Sequence, residues 1–139
     1  MNLLRSISVA LAAVMPPALF AADVCTPVEV RNVRPAAGVV MLAVYDNEAQ
    51  FNREPVTALK QRADSVETVR FAVCGLQGRT VALSVYQDLN ENSRLDVNLF
   101  GIPSEPWGAS GKPPAYSAPT WQTGQIVLGV EPVVINLSR

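Results

Sequence analysis

Short oxygen-bearing side chains recur at every second position from residue 88 to residue 92, and another follows at residue 96. In a calcium loop, side chains at the first, third, fifth and ninth positions and a backbone carbonyl at the seventh surround the ion. The residues at these positions are Asp88, Asn90, Asn92, Asp96 and, for the carbonyl, Arg94. Ser93 stands at the sixth position, usually glycine, and Leu99 at the twelfth, usually a bidentate glutamate. The spacing predicts a weak structural calcium site and not a complete EF-hand.

The same spacing has a second interpretation that involves no metal. Asp and Asn side chains accept hydrogen bonds from backbone amides two residues further on, so a D-x-N-x-N run forms a chain of Asx turns. Only two carboxylates, those of Asp88 and Asp96, would face the ion. Both interpretations stay open at this point. If calcium binds, we expect it to hold the start of the long segment that follows.

The composition argues against an enzyme. The chain contains no histidine, which removes the most common general base, triad member and zinc ligand. It also lacks a glycine-rich phosphate loop, a G-x-S-x-G elbow and a cysteine beside a base. A carboxylate pair drawn from Asp88, Asp96 and Glu105 would permit glycoside hydrolysis only if two acids faced one cleft. We predict a protein without catalytic activity.

The first residues have the layout of a secretory signal. Arg5 precedes an apolar run over residues 7–14, and prolines and small residues follow. We expect residues 1–21 to be removed as a signal peptide and residues 22–139 to form one domain that is periplasmic or secreted. The apolar run is shorter than the roughly 20 residues that span a bilayer, so no transmembrane segment is predicted.

Two cysteines, Cys25 and Cys74, belong to the expected mature chain. Export would place them where disulfides persist, and neither belongs to a Cys-x-x-Cys redox motif. We predict that they form a structural disulfide.

Alternating apolar residues predict strands along most of the chain. The predicted strands are residues 28–33, 38–45, 66–73, 80–86, 126–130 and 133–137, with Trp121 joining the closing strands. Residues 46–61 break the pattern, and the apolar Phe51, Val56 and Leu59 predict a short helical turn there. Pro55 limits the length of this turn. Short strands with little helix predict a single antiparallel β-sandwich, immunoglobulin-like or transthyretin-like, with about six to eight strands.

A long segment rich in proline and glycine, residues 101–121, carries Trp107, Tyr116 and Trp121. Segments of this length without strands are often functional. Exposed, the three rings would form a face for a glycan or a small ligand. Buried, they would cover one end of the sandwich core. The exposure of the rings distinguishes these alternatives.

Two segments resemble the signature of a bacterial family of exported, uncharacterised proteins, domain-of-unknown-function family 2141. They are residues 86–96, YQDLNENSRLD, and residues 99–110, LFGIPSEPWGAS. The first is similar to the family's D-x-N-x-N-G-x-x-D loop and the second to its G-I-P-x-E-x-x-G-x-S segment. The chain departs from the pattern at Ser93, where the family usually has glycine, and at Pro106-Trp107. The resemblance covers most of the mature chain and implies a secreted immunoglobulin-like or transthyretin-like β-sandwich without an established activity.

Together these observations predict an exported, non-enzymatic β-sandwich module that binds another component of the cell envelope. The alternative is a glycan-binding or small-ligand-binding protein that uses the aromatic segment. The formal net charge of −1 offers no basic surface for nucleic acid. Calcium is the only cofactor expected, and the sequence carries no signal for the oligomeric state.

Overall fold

Two β-sheets and very little helix make up the protein in the computed structural model, which describes residues 23–115 and 117–138. The strands in chain order are β1 (Cys25–Arg31), β2 (Val39–Tyr45), β3 (Thr57–Arg62), β4 (Thr68–Cys74), β5 (Thr80–Asp88), β6 (Trp107–Ala109), β7 (Gln125–Val127) and β8 (Val133–Asn136). A 3₁₀ turn covers Glu48–Gln50, and a single α-helical turn, α1, covers Trp121–Gly124. The predicted all-β sandwich is confirmed.

The first sheet has the order β4-β1-β8 and the second the order β3-β2-β5-β6. β7 pairs with β5 as well, along the half of its edge that β6 leaves open. All pairs between these strands are antiparallel except β1 with β8, which run parallel. The central strand β5 is therefore paired on both sides. Its end, and the loop that follows it, start from a well-supported strand of the second sheet.

The core lies between the two sheets, because alternate residues of their strands point inward. In β4, buried residues alternate with more exposed ones over Thr68–Cys74. Of the residues that the structure describes, seventeen buried ones form this core. Its largest fully buried apolar side chains are Leu42, Leu83, Leu128 and Ile135. The alternation predicted from valine spacing in these strands is confirmed.

Cys25 and Cys74 lie directly opposite one another in the β1–β4 register and form a disulfide, with sulphur atoms 1.95 Å apart. The bond closes a loop of 49 residues in sequence separation. For a loop of this length, the chain-entropy model gives a stabilisation of about 4 kcal/mol. The first sheet is thus cross-linked at the start of its central strand.

Three local predictions were wrong. Residues 57–62, expected to be irregular or helical, form β3, because a free edge of β2 accepts them in antiparallel register. Trp121 begins α1 and not a strand, since Thr120 caps the turn through a capping box with Thr123. The long segment expected to contain no strand holds β6, where main-chain pairing to β5 overrides its weak local pattern.

Two tight contacts support the end of β5. The buried Gln87 amide donates to the carbonyls of Arg34 and Ala37 at 2.8 and 2.6 Å, and its oxygen accepts from the Arg34 amide at 2.8 Å. Gly38 has φ +64°, and a Cβ there would lie 1.9 Å from the Asp88 carbonyl oxygen. Only glycine fits so close to the backbone of Asp88. The β1–β2 connection therefore packs directly against the last residue of β5.

The expected signal peptide, residues 1–21, lies outside the described residues. None of the described helices is long and apolar enough to cross a membrane.

Candidate functional site

Asp88 ends β5, and its buried carboxylate closes the first turn of the loop 88–96. Its Oδ1 accepts a hydrogen bond from the Asn92 amide at 3.1 Å, and its Oδ2 accepts one from the Ser93 amide at 2.6 Å. The residue is 1% exposed. Hydrogen bonds to a carboxylate are stronger than those between neutral groups. Asp88 therefore acts as the local cap that folds the loop back on itself.

The other predicted ligands continue this pattern. Asn90 and Asn92 each accept from the backbone amide two residues further on, at 3.2 and 2.9 Å. Their side-chain amides donate to the two oxygens of Asp96, at 2.6 and 2.9 Å. Asp88, Asn90, Asn92 and Asp96 thus lie around one small loop, and the Asx turns of the second interpretation are present.

The loop forms with Ser93 at the position where a calcium loop usually has glycine. Glu91 and Ser93 both adopt the left-handed conformation, with φ of 60° and 63°. This conformation costs a non-glycine residue roughly 1 kcal/mol. The bond from the Ser93 amide to Asp88 and the Asx turns around it hold the conformation in place.

Glu105 ties the two ends of the loop together. Its Oε1 accepts from the Leu89 amide at 2.7 Å and its Oε2 from the Asp96 amide at 3.0 Å. The residue is only 6% exposed. A buried carboxylate needs such donors to offset its lost hydration. Glu105 therefore contacts the loop 88–96 through backbone amides at both of its ends.

The site is electrically negative at its base. The pKa of Tyr86 is raised, mainly by burial and further by the negative charges of Asp88 and Glu105. On the outside of the loop, Arg62 forms an exposed ion pair with Glu91 at 3.1 Å. Arg94, expected to offer its carbonyl, is exposed. Among the described residues, no group of three or more Asp, Glu, His or Cys side chains is placed to hold a metal ion.

Directly after the loop, residues 97–103 form a narrow turn, here called the apolar tip. Leu99 is fully exposed and Phe100 is 87% exposed, and Val97 and Ile102 are each more than half exposed. The other large apolar side chains that are exposed in the described residues are six valines, four in loops and one each in β7 and β8. The apolar tip is therefore the one concentrated apolar feature on the described surface.

The backbone of the apolar tip is hydrogen-bonded within itself. Asn98 accepts from the Phe100 and Ile102 amides through its side chain, at 2.9 and 3.1 Å. Its own amide donates to the Ile102 carbonyl at 2.8 Å, and the Gly101 amide donates to the Asn98 carbonyl at 2.9 Å. Val97 and Pro103 face each other in a β-bridge at the base. The tip is a structured turn that carries its apolar side chains outward.

The predicted aromatic site is only partly assembled. Trp107, in β6, lies beside Tyr86 in the cross-strand register and is half-buried. Trp121 packs edge-on against Phe51 at a ring separation of 6.3 Å. The helical turn that Trp121 begins lies close to Ala82 of β5. Tyr86 and Ala82 are four residues apart along β5, or about 13 Å. The two tryptophans therefore belong to different places on the outer face, and Tyr116 lies outside the described residues.

Sequence reasoning missed the apolar tip as a surface feature. Residues 99–102 are apolar apart from a glycine, which by itself is equally typical of a buried segment. Their position could have indicated exposure, because a short apolar run between a polar loop and Pro103 is too short to form a strand that packs on the core.

The fold and this site define a class of protein: a two-sheet β-sandwich whose central strand ends in a carboxylate-capped loop and an apolar tip. The chain belongs to the family described as "Uncharacterized protein conserved in bacteria (DUF2141)", whose model matches residues 28–136. The resemblance noted in the sequence is thus confirmed. Searches of the curated proteins and of the solved structures find no match.

The part of the signature segment that follows the tip, residues 104–110, has structural functions in this chain. Gly108 leaves no room for a side chain, since a Cβ would lie 2.8 Å from the Asn136 carbonyl oxygen of β8. The Ser110 hydroxyl accepts from the Leu83 amide at 2.8 Å and donates to the Gly124 carbonyl at 2.5 Å. With Glu105, these residues dock the returning chain onto β5.

We predict that Glu105→Ala lowers the free energy of unfolding by about 3 kcal/mol, because two partly buried amides lose a charged acceptor. Glu105→Gln should have a smaller effect, since one acceptor oxygen remains. Urea denaturation measures the change, and hydrogen exchange at the Leu89 and Asp96 amides localises it. Glu131→Ala removes the same charge from an exposed site and should change stability by less than about 0.5 kcal/mol. Equal losses in the Glu105 and Glu131 variants would contradict the bridging role.

Proposed function

We propose that the protein is a non-enzymatic binding module of the bacterial cell envelope and that the apolar tip is its contact surface. The observation that carries this proposal is the exposure of Leu99 and Phe100 on a turn whose backbone is already hydrogen-bonded. Burying a Leu or Phe side chain is worth roughly 1.5–3 kcal/mol. A fold that exposes two in succession, beside Val97 and Ile102, is suited to burying them against a partner.

The hydrogen bonding of the acids supports a structural role for them over a catalytic one. Asp88 and Glu105 accept from four backbone amides, and Asp96 accepts from two asparagine side chains. A hydrolase would need two of these carboxylates free on opposite sides of a bound sugar. All three instead hold one loop together, which favours a scaffold for the tip.

Calcium binding to the loop 88–96 is part of the proposal. Two carboxylates, two asparagine oxygens and the Arg94 carbonyl make five donors, and water would complete the six to eight that calcium takes. Asn90 and Asn92 now direct their nitrogens toward Asp96, so both amides would have to turn their oxygens to the ion. Binding would therefore replace existing hydrogen bonds, and a weak affinity, about 10⁻⁴ to 10⁻³ M, is expected.

Glycan binding at the outer face of the second sheet is the second candidate. It is favoured by one row of the register, in which half-buried Trp107, Tyr86 and Met41 lie side by side on neighbouring strands. The next row holds the small residues Ala109, Ser84 and Ala43. A ring pair beside small side chains is suited to stacking on a sugar. Trp121 contributes to packing with Phe51 and does not belong to this row.

The proposal predicts that the tip touches a partner in living cells. A photoreactive phenylalanine analogue in place of Phe100 should form a crosslinked adduct on illumination of cells that express the protein. The same analogue in place of Val130, which is also exposed, is the matched control and should form none. Yields at position 100 that do not exceed those at position 130 would refute the tip as a contact surface.

Calcium titrated into chelator-treated protein should give saturable heat in calorimetry and raise the melting temperature. At a concentration ten times the Kd, the expected stabilisation is about 1.4 kcal/mol. Asp96→Asn keeps a hydrogen-bond acceptor but removes a charge, and it should abolish the heat. Ser93→Gly keeps every ligand and relieves the left-handed serine, so it should still bind. No heat and no melting shift up to about 10 mM calcium would leave a metal-free Asx loop.

For the glycan candidate, the expected outcome is a change in tryptophan fluorescence on addition of soluble β-linked oligosaccharides such as cellohexaose or chitohexaose. The change should disappear in Trp107→Phe and persist in Trp121→Phe, because only Trp107 lies in the row with Tyr86. Unchanged fluorescence in the wild-type protein would eliminate this candidate for the sugars tested.

A further inference from the structure

We infer that the partner of the apolar tip is the surface of a lipid bilayer, with Leu99, Phe100 and Ile102 inserting among the acyl chains of zwitterionic lipids. The inference rests on the proposed function and names the partner of the same surface. The seven residues of the tip, VNLFGIP, carry no charged side chain. The contact is therefore interfacial and shallow, because a turn of this length reaches only the outer part of the hydrocarbon.

Four backbone amides of the tip have hydrogen-bond partners that do not depend on water. Hydrocarbon provides no partners for backbone amides, so an inserted segment must satisfy them internally. In the tip, the amides of Asn98, Phe100, Gly101 and Ile102 all donate to acceptors of the tip itself. Asn98 alone supplies three of these acceptor contacts, two through its side chain and one through its carbonyl. These four amides would therefore keep their partners in a medium without water.

Two cavities lie among the described residues, and neither suits the tip of a second copy of the chain. One cavity, of about 230 Å³, lies beside Arg62 and Asp64, and another, of about 410 Å³, lies between Arg34 and Glu67. Charged side chains line both, and each would lose hydration if Phe100 entered. A bilayer requires no complementary pocket, because its acyl chains adapt to the shape of an inserted turn.

The charges around the base of the tip indicate zwitterionic lipids. The loop 88–96 that borders the tip carries three acids, Asp88, Glu91 and Asp96, against one cation, Arg94, and Arg62 pairs with Glu91. Anionic lipids attract clusters of Lys and Arg, and the loop has no such cluster. Its asparagines and backbone polar groups suit the headgroup layer. Binding should therefore depend on apolar insertion and change little with salt.

The base of the tip is ordered before any contact. The Ser104 amide donates to the Asp96 carbonyl at 2.8 Å, and the Asp96 amide donates to the buried Glu105. Both legs of the tip are thus held by main-chain contacts to the loop and to the end of β5. Insertion then loses little conformational entropy, which is the main benefit of a preorganised binding element.

The test is co-sedimentation of the purified protein with vesicles of phosphatidylcholine and phosphatidylethanolamine. Leu99→Ser/Phe100→Ser should lower the partition coefficient at least tenfold. Val127→Ser/Val130→Ser removes two exposed valines elsewhere and should leave binding unchanged. All of these proteins share the same N terminus, so any contribution of that segment to vesicle binding is the same in each of them. Neither variant touches the core, and both should melt within about 2 °C of the wild-type protein.

Depth of insertion gives a second readout. Tryptophan fluorescence of a Phe100→Trp variant should be quenched by vesicles with brominated acyl chains, and that of a Val130→Trp variant should gain no such quenching. Equal partitioning of the wild-type protein and the tip variant, or binding that requires anionic lipid, would overturn the inference.

The crosslinking experiment separates this inference from the proposed function. Absence of vesicle binding together with a protein adduct at position 100 would replace the lipid with a protein partner and keep the tip as the contact surface. Absence of both vesicle binding and any adduct would overturn the two proposals together.

Discussion

The buried carboxylate of Glu105 is the interaction on which the functional end of this protein depends. A carboxylate removed from water must find donors, and here the donors are the amides of Leu89 and Asp96, at the two ends of one loop. One charge thus connects the end of β5, the loop and the start of the apolar tip. Since Asp88 caps the same loop from inside, its shape is over-determined and the left-handed Ser93 is tolerated.

The sandwich supplies the rigidity that this arrangement needs. β5 lies in the middle of the second sheet, and its last residues are held from the other side by the Gln87 amide and by the close approach of Gly38. The returning chain is docked by β6 and by the buried Ser110 hydroxyl. An exposed turn emerging from such a base holds its shape, so its apolar residues are displayed and not collapsed onto the core.

Much of the fold could be predicted from the sequence because its signals are local. Alternating apolar residues marked β1, β4 and β5, and a run rich in β-branched residues marked β2. Two cysteines in an expected exported chain indicated their disulfide. β3 and β6 were missed because pairing partners, and not their own residues, define them. The same holds for Glu105, whose donors lie nine and sixteen residues earlier in the chain, beyond the reach of spacing rules.

By itself, the sequence determined an all-β chain of the family DUF2141 and one oxygen-rich loop over residues 88–96. Strand periodicity and Asx spacing are properties of neighbouring residues, and they survive without knowledge of the rest of the chain. The tertiary structure decided which apolar residues are buried. Val28 and Val30 are buried between the sheets, whereas Leu99 and Phe100, equally apolar, face solvent. The reason is physical: burial depends on what lies opposite a side chain, and beyond the end of β5 no second sheet covers the turn.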